Sequence, residues 1–114
     1  MFSINIEKAT LRNNNYRKVL DTNKYQQLVL MSLNPGEDIP LESHDGSQFF
    51  RIEKGRGVAE IDGKRVLLKD GTSLTVPKNT QHYIKNTSST QPLKLYSIYS
   101  PPQHPKNTTN RRQE

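Results

Sequence analysis

Short runs in which apolar and polar residues alternate recur along the chain, each bounded by turn-forming residues, and this period of two predicts β-strands. The run at 48–53 places Gln48, Phe50 and Ile52 on one side and Arg51 and Glu53 on the other. In the same way, the segment 80–84 sets His82 beside Ile84. Residues 57–61 and 64–68 flank Asp62-Gly63, the pattern of a hairpin closed by a two-residue type I′ turn. Further strands are expected at 26–33, 74–77 and 93–99, the last with Leu93, Leu95, Ser97 and Tyr99 on one face. Residues 2–9 and 16–20 read as early strands on either side of a loop at Asn13-Asn14-Asn15. No stretch keeps a helical period over roughly ten residues, so the expected fold class is all-β.

A chain of 114 residues suits one compact domain with one core. That domain is expected over residues 1–100. Residues 101–114 are polar and proline-interrupted, which predicts a flexible or loosely docked tail, with His104 an exposed loop residue. No apolar run reaches the roughly 20 residues that span a bilayer, and the start lacks a charged-then-apolar leader pattern. The expectation is a soluble, intracellular or cytoplasmic protein without a membrane role. There is no cysteine, so a bound metal would need nitrogen and oxygen ligands. The formal charge of +6 is dispersed in pairs such as Lys54 and Arg56, Lys64 and Arg65, and Arg111 and Arg112. Without a long basic run or an aromatic-rich recognition motif, nucleic acid is disfavoured as a partner and an anionic small molecule is preferred.

Four side chains carry candidate chemistry. Glu42 and His44 are two apart, so they share a face if residues 40–44 are extended. Gln48 follows a short polar turn on a face otherwise given to core residues, and His82 arrives from a distant strand. Two imidazoles, a carboxylate and a carboxamide oxygen suit a borderline divalent ion such as iron, manganese, zinc, nickel or cobalt. Without a metal, the same four would form a polar pocket in which Glu42 or His82 could act as a catalytic acid or base.

The segments PGEDIPLESHDGSQFFRIEKGRG at 35–57 and GTSLTVPKNTQHYIKN at 71–86 resemble the two motifs of the cupin superfamily. The first motif runs glycine, five residues, histidine-x-histidine, three or four residues, glutamate, six residues, glycine. Gly36, His44 and Gly55 fall in register, while Glu42 stands at the first histidine position and Gln48 at the glutamate position. In the second motif Gly71, Pro77, His82 and Asn86 match, and Asn79 occupies a position usually held by glycine. The resemblance covers residues 26–105 and implies a jelly-roll β-barrel, of the small single-domain kind, with Glu42, His44, Gln48 and His82 at the metal-ligand positions. It also implies a homodimer, with 2–20 or the apolar run 28–31 as a contact region. The glutamine-x-histidine, glutamate and histidine set of the cupin phosphomannose isomerases is similar in ligand types, with carboxylate and carboxamide exchanged. Sugar-phosphate isomerisation, non-haem iron dioxygenation and non-enzymatic ligand binding or scaffolding are the activities the resemblance brings into question.

Overall fold

The computed structural model describes residues 1–113 and bears out the all-β expectation, with two antiparallel sheets facing each other. The strands in chain order are β1 (Arg17–Thr22), β2 (Gln27–Leu33), β3 (Asp38–Glu42), β4 (Ser47–Lys54), β5 (Gly57–Ile61), β6 (Lys64–Leu68), β7 (Ser73–Val76), β8 (His82–Asn86), β9 (Leu93–Ser100) and β10 (Thr109–Asn110). One sheet has the order β10-β1-β2-β9-β4-β7 and the other β3-β8-β5-β6. Period-two alternation determines what lies between them. Val29, Met31 and Leu33 of β2, Phe50 and Ile52 of β4, and Leu93 and Leu95 of β9 pack on Ile39, Ala59, Leu68 and Ile84 of the smaller sheet. Burying a side chain such as Phe50 or Ile84 contributes about 1.5–3 kcal/mol, so this interior carries the domain.

Local chemistry closes the turns. Asp62 and Gly63 take φ of 51° and 77°, as the type I′ turn between β5 and β6 requires. Gly55 adopts φ of 116°, and a Cβ there would lie 2.7 Å from the Pro92 carbonyl oxygen, so both conformation and space demand glycine.

Residues 2–9 are not a strand: the chain forms a short helix, α1 (Ile6–Arg12). Asn5 caps it by accepting from the Lys8 N–H at 3.0 Å, Glu7 lies in its first turn and Arg12 in its last. Its inward positions are Ile6, Ala9, Thr10 and Asn13, a helical spacing hidden from a hydrophobicity reading because two of the four are polar. The helix packs against β2, β4 and β9. Val29, Leu30 and Met31, from the run expected at an interface, are buried within this one chain.

Residues 101–113, expected to be flexible or loosely docked, make specific contacts with the rest of the chain. Residues after Ser100 run back along the larger sheet, where Thr109 and Asn110 pair with Lys18 and Arg17. Glu37, at the turn before β3, pins the end of this segment by accepting from Gln113 N at 3.0 Å and pairing with Arg112 Nη1 at 3.2 Å. The side chain of Gln113 reaches Asp38, donating to its Oδ1 at 2.6 Å and accepting from its N–H at 2.8 Å. Composition alone could not foresee this docking, because polar contacts rather than apolar burial hold it. No helix of the described residues is long and apolar enough to cross a membrane.

Burial opposes ionisation of Glu37, but the backbone donors of Asn34 and Gln113 and the Arg112 guanidinium outweigh it and hold its carboxyl below the usual range. A depressed folded-state pKa stabilises the fold above the ordinary value of 4.5 and loses that contribution as the pH falls through the folded value. Glu37→Gln is therefore expected to cost about 1 kcal/mol near pH 7 and to converge on the parent in acid. Urea unfolding at pH 7 and at pH 3, with amide exchange at residues 108–113, checks both parts.

Candidate metal centre

One end of the interior is polar rather than apolar, and the strand registers put it there. Glu42 of β3 pairs opposite His82 of β8, which in turn faces Ile61 of β5. Across the barrel, Tyr99 of β9 pairs with Gln27 of β2 and with Gln48 of β4. His44 lies just beyond the end of β3, not within an extended 40–44 strand, yet the inward alternation from Glu42 continues through it. Its carbonyl accepts from Asn79 N at 2.8 Å, and Asn79 sits at φ of 61°. Asparagine tolerates this left-handed geometry, so the residue at the usual glycine position still supports the loop that carries His44.

Glu42, His44 and His82 come together, with one donor atom from each lying within 4.8 Å of the others. The Glu42 Oε1 atom is 3.2 Å from His44 Nε2 and 3.4 Å from His82 Nε2. His82 is fully buried, and its Nδ1 lies 3.1 Å from the Thr80 carbonyl oxygen. A carbonyl only accepts, so Nδ1 carries a proton, and Nε2 faces the carboxylate as a lone pair or, in a doubly protonated ring, as a second N–H. Beside a carboxylate, Nε2 needs either a proton of its own or a shared cation, and no well-aligned hydrogen bond reaches it in the structure. Burial raises the Glu42 pKa, but the hydrogen-bonding and charge contributions of His82 and His44 more than offset it and hold the carboxyl below its usual value.

Gln48 lines the same end of the barrel. Its Nε2 donates to Ser97 Oγ at 2.8 Å, which fixes the amide and leaves Oε1 buried without a partner. Leaving a buried polar atom unsatisfied costs about 1–3 kcal/mol. Only four such side-chain atoms occur among the described residues, and two of them are His82 Nε2 and Gln48 Oε1. A divalent ion bound by nitrogen and oxygen would satisfy both, so the donor set fits such an ion.

Four further residues frame this end, and sequence reasoning assigned them no role there. Tyr99 meets His44 edge-on with ring centroids 5.4 Å apart, and burial raises its pKa, keeping the hydroxyl protonated. Gln27 is fully buried and clamps the returning tail, donating to the His104 carbonyl at 2.7 Å while its Oε1 accepts from the His104 and Gln103 N–H groups. His104 is thereby not an exposed loop residue: its ring packs on Tyr99 with centroids 5.2 Å apart. Burial, helped by the Arg17 guanidinium, lowers His104 to about 4, so the ring is neutral at pH 7. Arg17 pairs in register with the buried Met31, and its Nε is buried without a partner. A polar residue at an inward position of an apolar strand is the available signal for Gln27 and Arg17, since Gln27 precedes Val29 by two and Arg17 precedes Val19 by two.

Residues 29–99 match the family described as Cupin domain. The chain is 47% identical over 110 residues to an uncharacterized protein of Acanthamoeba polyphaga mimivirus, covering 92% of this chain and 68% of that one. It is 46% identical over 116 residues to the uncharacterized protein YrkC of Bacillus subtilis, covering 96% of this chain and 62% of that protein's length. A crystal structure of a Bacillus halodurans protein superposes with a TM-score of 0.94 at 41% identity, covering 97% of this chain and 89% of the other.

The Gln27 clamp gives a direct test of tail closure. Gln27→Ala is expected to destabilise the protein by about 1–3 kcal/mol and to expose residues 101–107 to proteases at rates well above the parent. Limited proteolysis followed by mass mapping, with urea unfolding alongside, reads both effects; an unchanged cleavage pattern would assign the clamp no part in holding the tail.

Proposed function

Because this chain belongs to the cupin family, we propose that Glu42, His44, Gln48 and His82 hold a divalent metal ion and that the site acts on a small polar or anionic metabolite. The observation that carries the reading is the unpartnered His82 Nε2 facing the Glu42 carboxylate at 3.4 Å. When bound, the ion would supply Lewis acidity, polarising a carbonyl or hydroxyl oxygen of the ligand.

The chain's own groups do the rest. The Thr80 carbonyl keeps the His82 proton on Nδ1, and Ser97 keeps the Gln48 oxygen turned away from itself. The protonated Tyr99 hydroxyl, buried 3.3 Å from His104 Nε2, is a hydrogen-bonding group on the ring that packs against His44. Arg17 forms no ion pair among the described residues, and its charge acts on both Tyr99 and His104, which favours an anionic ligand. Glu42 and His44 keep side-chain exposures of 34% and 15%, so a ligand reaches the cluster from solvent on their side.

The ligand types support aldose–ketose isomerisation of a sugar phosphate, by similarity to phosphomannose isomerases with carboxylate and carboxamide exchanged. Two histidines and one carboxylate also suit iron(II) and oxygen chemistry, which makes a dioxygenase the second reading. A non-enzymatic cupin that binds a small molecule or serves as a scaffold is the alternative, and a homodimer is the assembly expected in either case.

Metal analysis of protein purified without chelator or affinity tag is the primary test. About one divalent ion per chain is expected in the parent, with at least about tenfold weaker retention in Glu42→Ala and His82→Ala. Failure to bind zinc, manganese, iron(II), nickel or cobalt even after reconstitution would overturn the metal reading and leave Glu42 and His82 as an acid and base pair. Anaerobic turnover of an aldose phosphate supports the isomerase, and strict dependence on iron(II) and oxygen supports the dioxygenase.

A further inference from the structure

At the end of the barrel away from Glu42 and His82, a cleft of about 1120 Å³ opens between the β4–β5 turn, the β8–β9 loop and the start of β9. Gln48 and Lys54 mark the two ends of β4, six residues apart, so roughly 20 Å separates this cleft from the metal ligands. Lys54, Arg56, Lys69 and Lys94 all line it, against one carboxylate, Asp70, whose Oδ1 already accepts from Gly55 N at 2.9 Å. Among the described residues none of the four cations forms an ion pair.

Two of these cations break a rule of sheet construction. Lys54 and Lys94 are direct cross-strand partners, and like charges placed opposite each other destabilise a sheet. Lys94 is also buried, with its ammonium held by the Asn13 carbonyl and by Asn14 Oδ1 at 3.0 Å rather than by an acid. Burial lowers the Lys94 pKa, and the charges of Lys54 and Arg112 lower it further. Lys94 is thus satisfied within the chain, whereas Lys54 opposite it has no acid partner among the described residues and is free to meet an anion from outside.

We propose that this cleft is a second, metal-independent site that binds a small phosphorylated ligand. A multiply charged oxyanion matches the excess of positive charge, and the Thr87 and Ser89 hydroxyls add donors of the kind phosphate oxygens accept. The volume suits a metabolite-sized molecule. No aromatic side chain lines the cleft, so it lacks the stacking platform that single-stranded nucleic acid uses. The proposal stands apart from the metal reading, because none of its residues is a candidate ligand.

Pyrophosphate is the probe, titrated into the intact protein and followed by amide chemical shifts and calorimetry. The expected result is saturable binding with shifts at Gly55, Arg56 and residues 87–89 and none at His82. Lys54→Gln with Arg56→Gln, both exposed and free of structural contacts to acids, should weaken it by about tenfold or more while thermal unfolding stays near the parent. Absence of shifts at these amides at millimolar pyrophosphate, or affinity unchanged in the double variant, would overturn the site. A short single-stranded RNA displacing pyrophosphate at far lower concentration would overturn the small-ligand assignment in favour of nucleic acid.

Discussion

A carboxylate wedged between two imidazoles at the polar end of a closed β interior is the constraint around which this molecule is organised. Glu42 can approach both rings only because β3 and β8 pair with Glu42 opposite His82, and because the chain beyond β3 keeps the same inward alternation to His44. The Thr80 carbonyl then decides which nitrogen of His82 is protonated. Each element is ordinary backbone geometry. Together they set a buried imidazole nitrogen against a carboxylate inside the fold, an arrangement that a proton on the ring or a bound cation satisfies.

The larger sheet extends this constraint outward. Gln48 and Tyr99 project inward from neighbouring strands, Gln27 stands beside Tyr99 on the next, and the tail is tied across them through the Gln27 amide and the Glu37 carboxylate. Polar contacts hold the cover while apolar contacts hold the barrel. The tail can therefore detach at far lower energy than the barrel can open, since releasing a few hydrogen bonds to water costs little compared with exposing Phe50 or Ile84.

Much of this was legible in the sequence because the strands obey a period of two with clear turns. The Asp62-Gly63 hairpin, the inward face of residues 48–52 and the convergence of Glu42, His44 and His82 all follow from that period. What escaped is what hydrophobicity does not encode. The helix Ile6–Arg12 buries Thr10, and its capping residue Asn13 is buried too, so its pattern resembles a surface. The tail docks through side-chain amides and an ion pair, and residues 101–113 look like solvated coil to any reading based on composition. Arg17 and Gln27 are exceptions inside readable strands, and such exceptions were the informative positions.

The strand order also governs when the site can come into being. β2 and β4 flank β9, which lies some forty or more residues farther along the chain, so the larger sheet cannot close until nearly the whole polypeptide has been gathered. Such non-local pairing makes for slow folding and for a late, cooperative transition. His82 and Glu42 meet in the smaller sheet, while Gln48 of β4 is set in place only when β9 pairs beside it, so the four candidate donors converge only after the larger sheet has closed. An ion held by all four would therefore bind a finished barrel rather than guide its assembly.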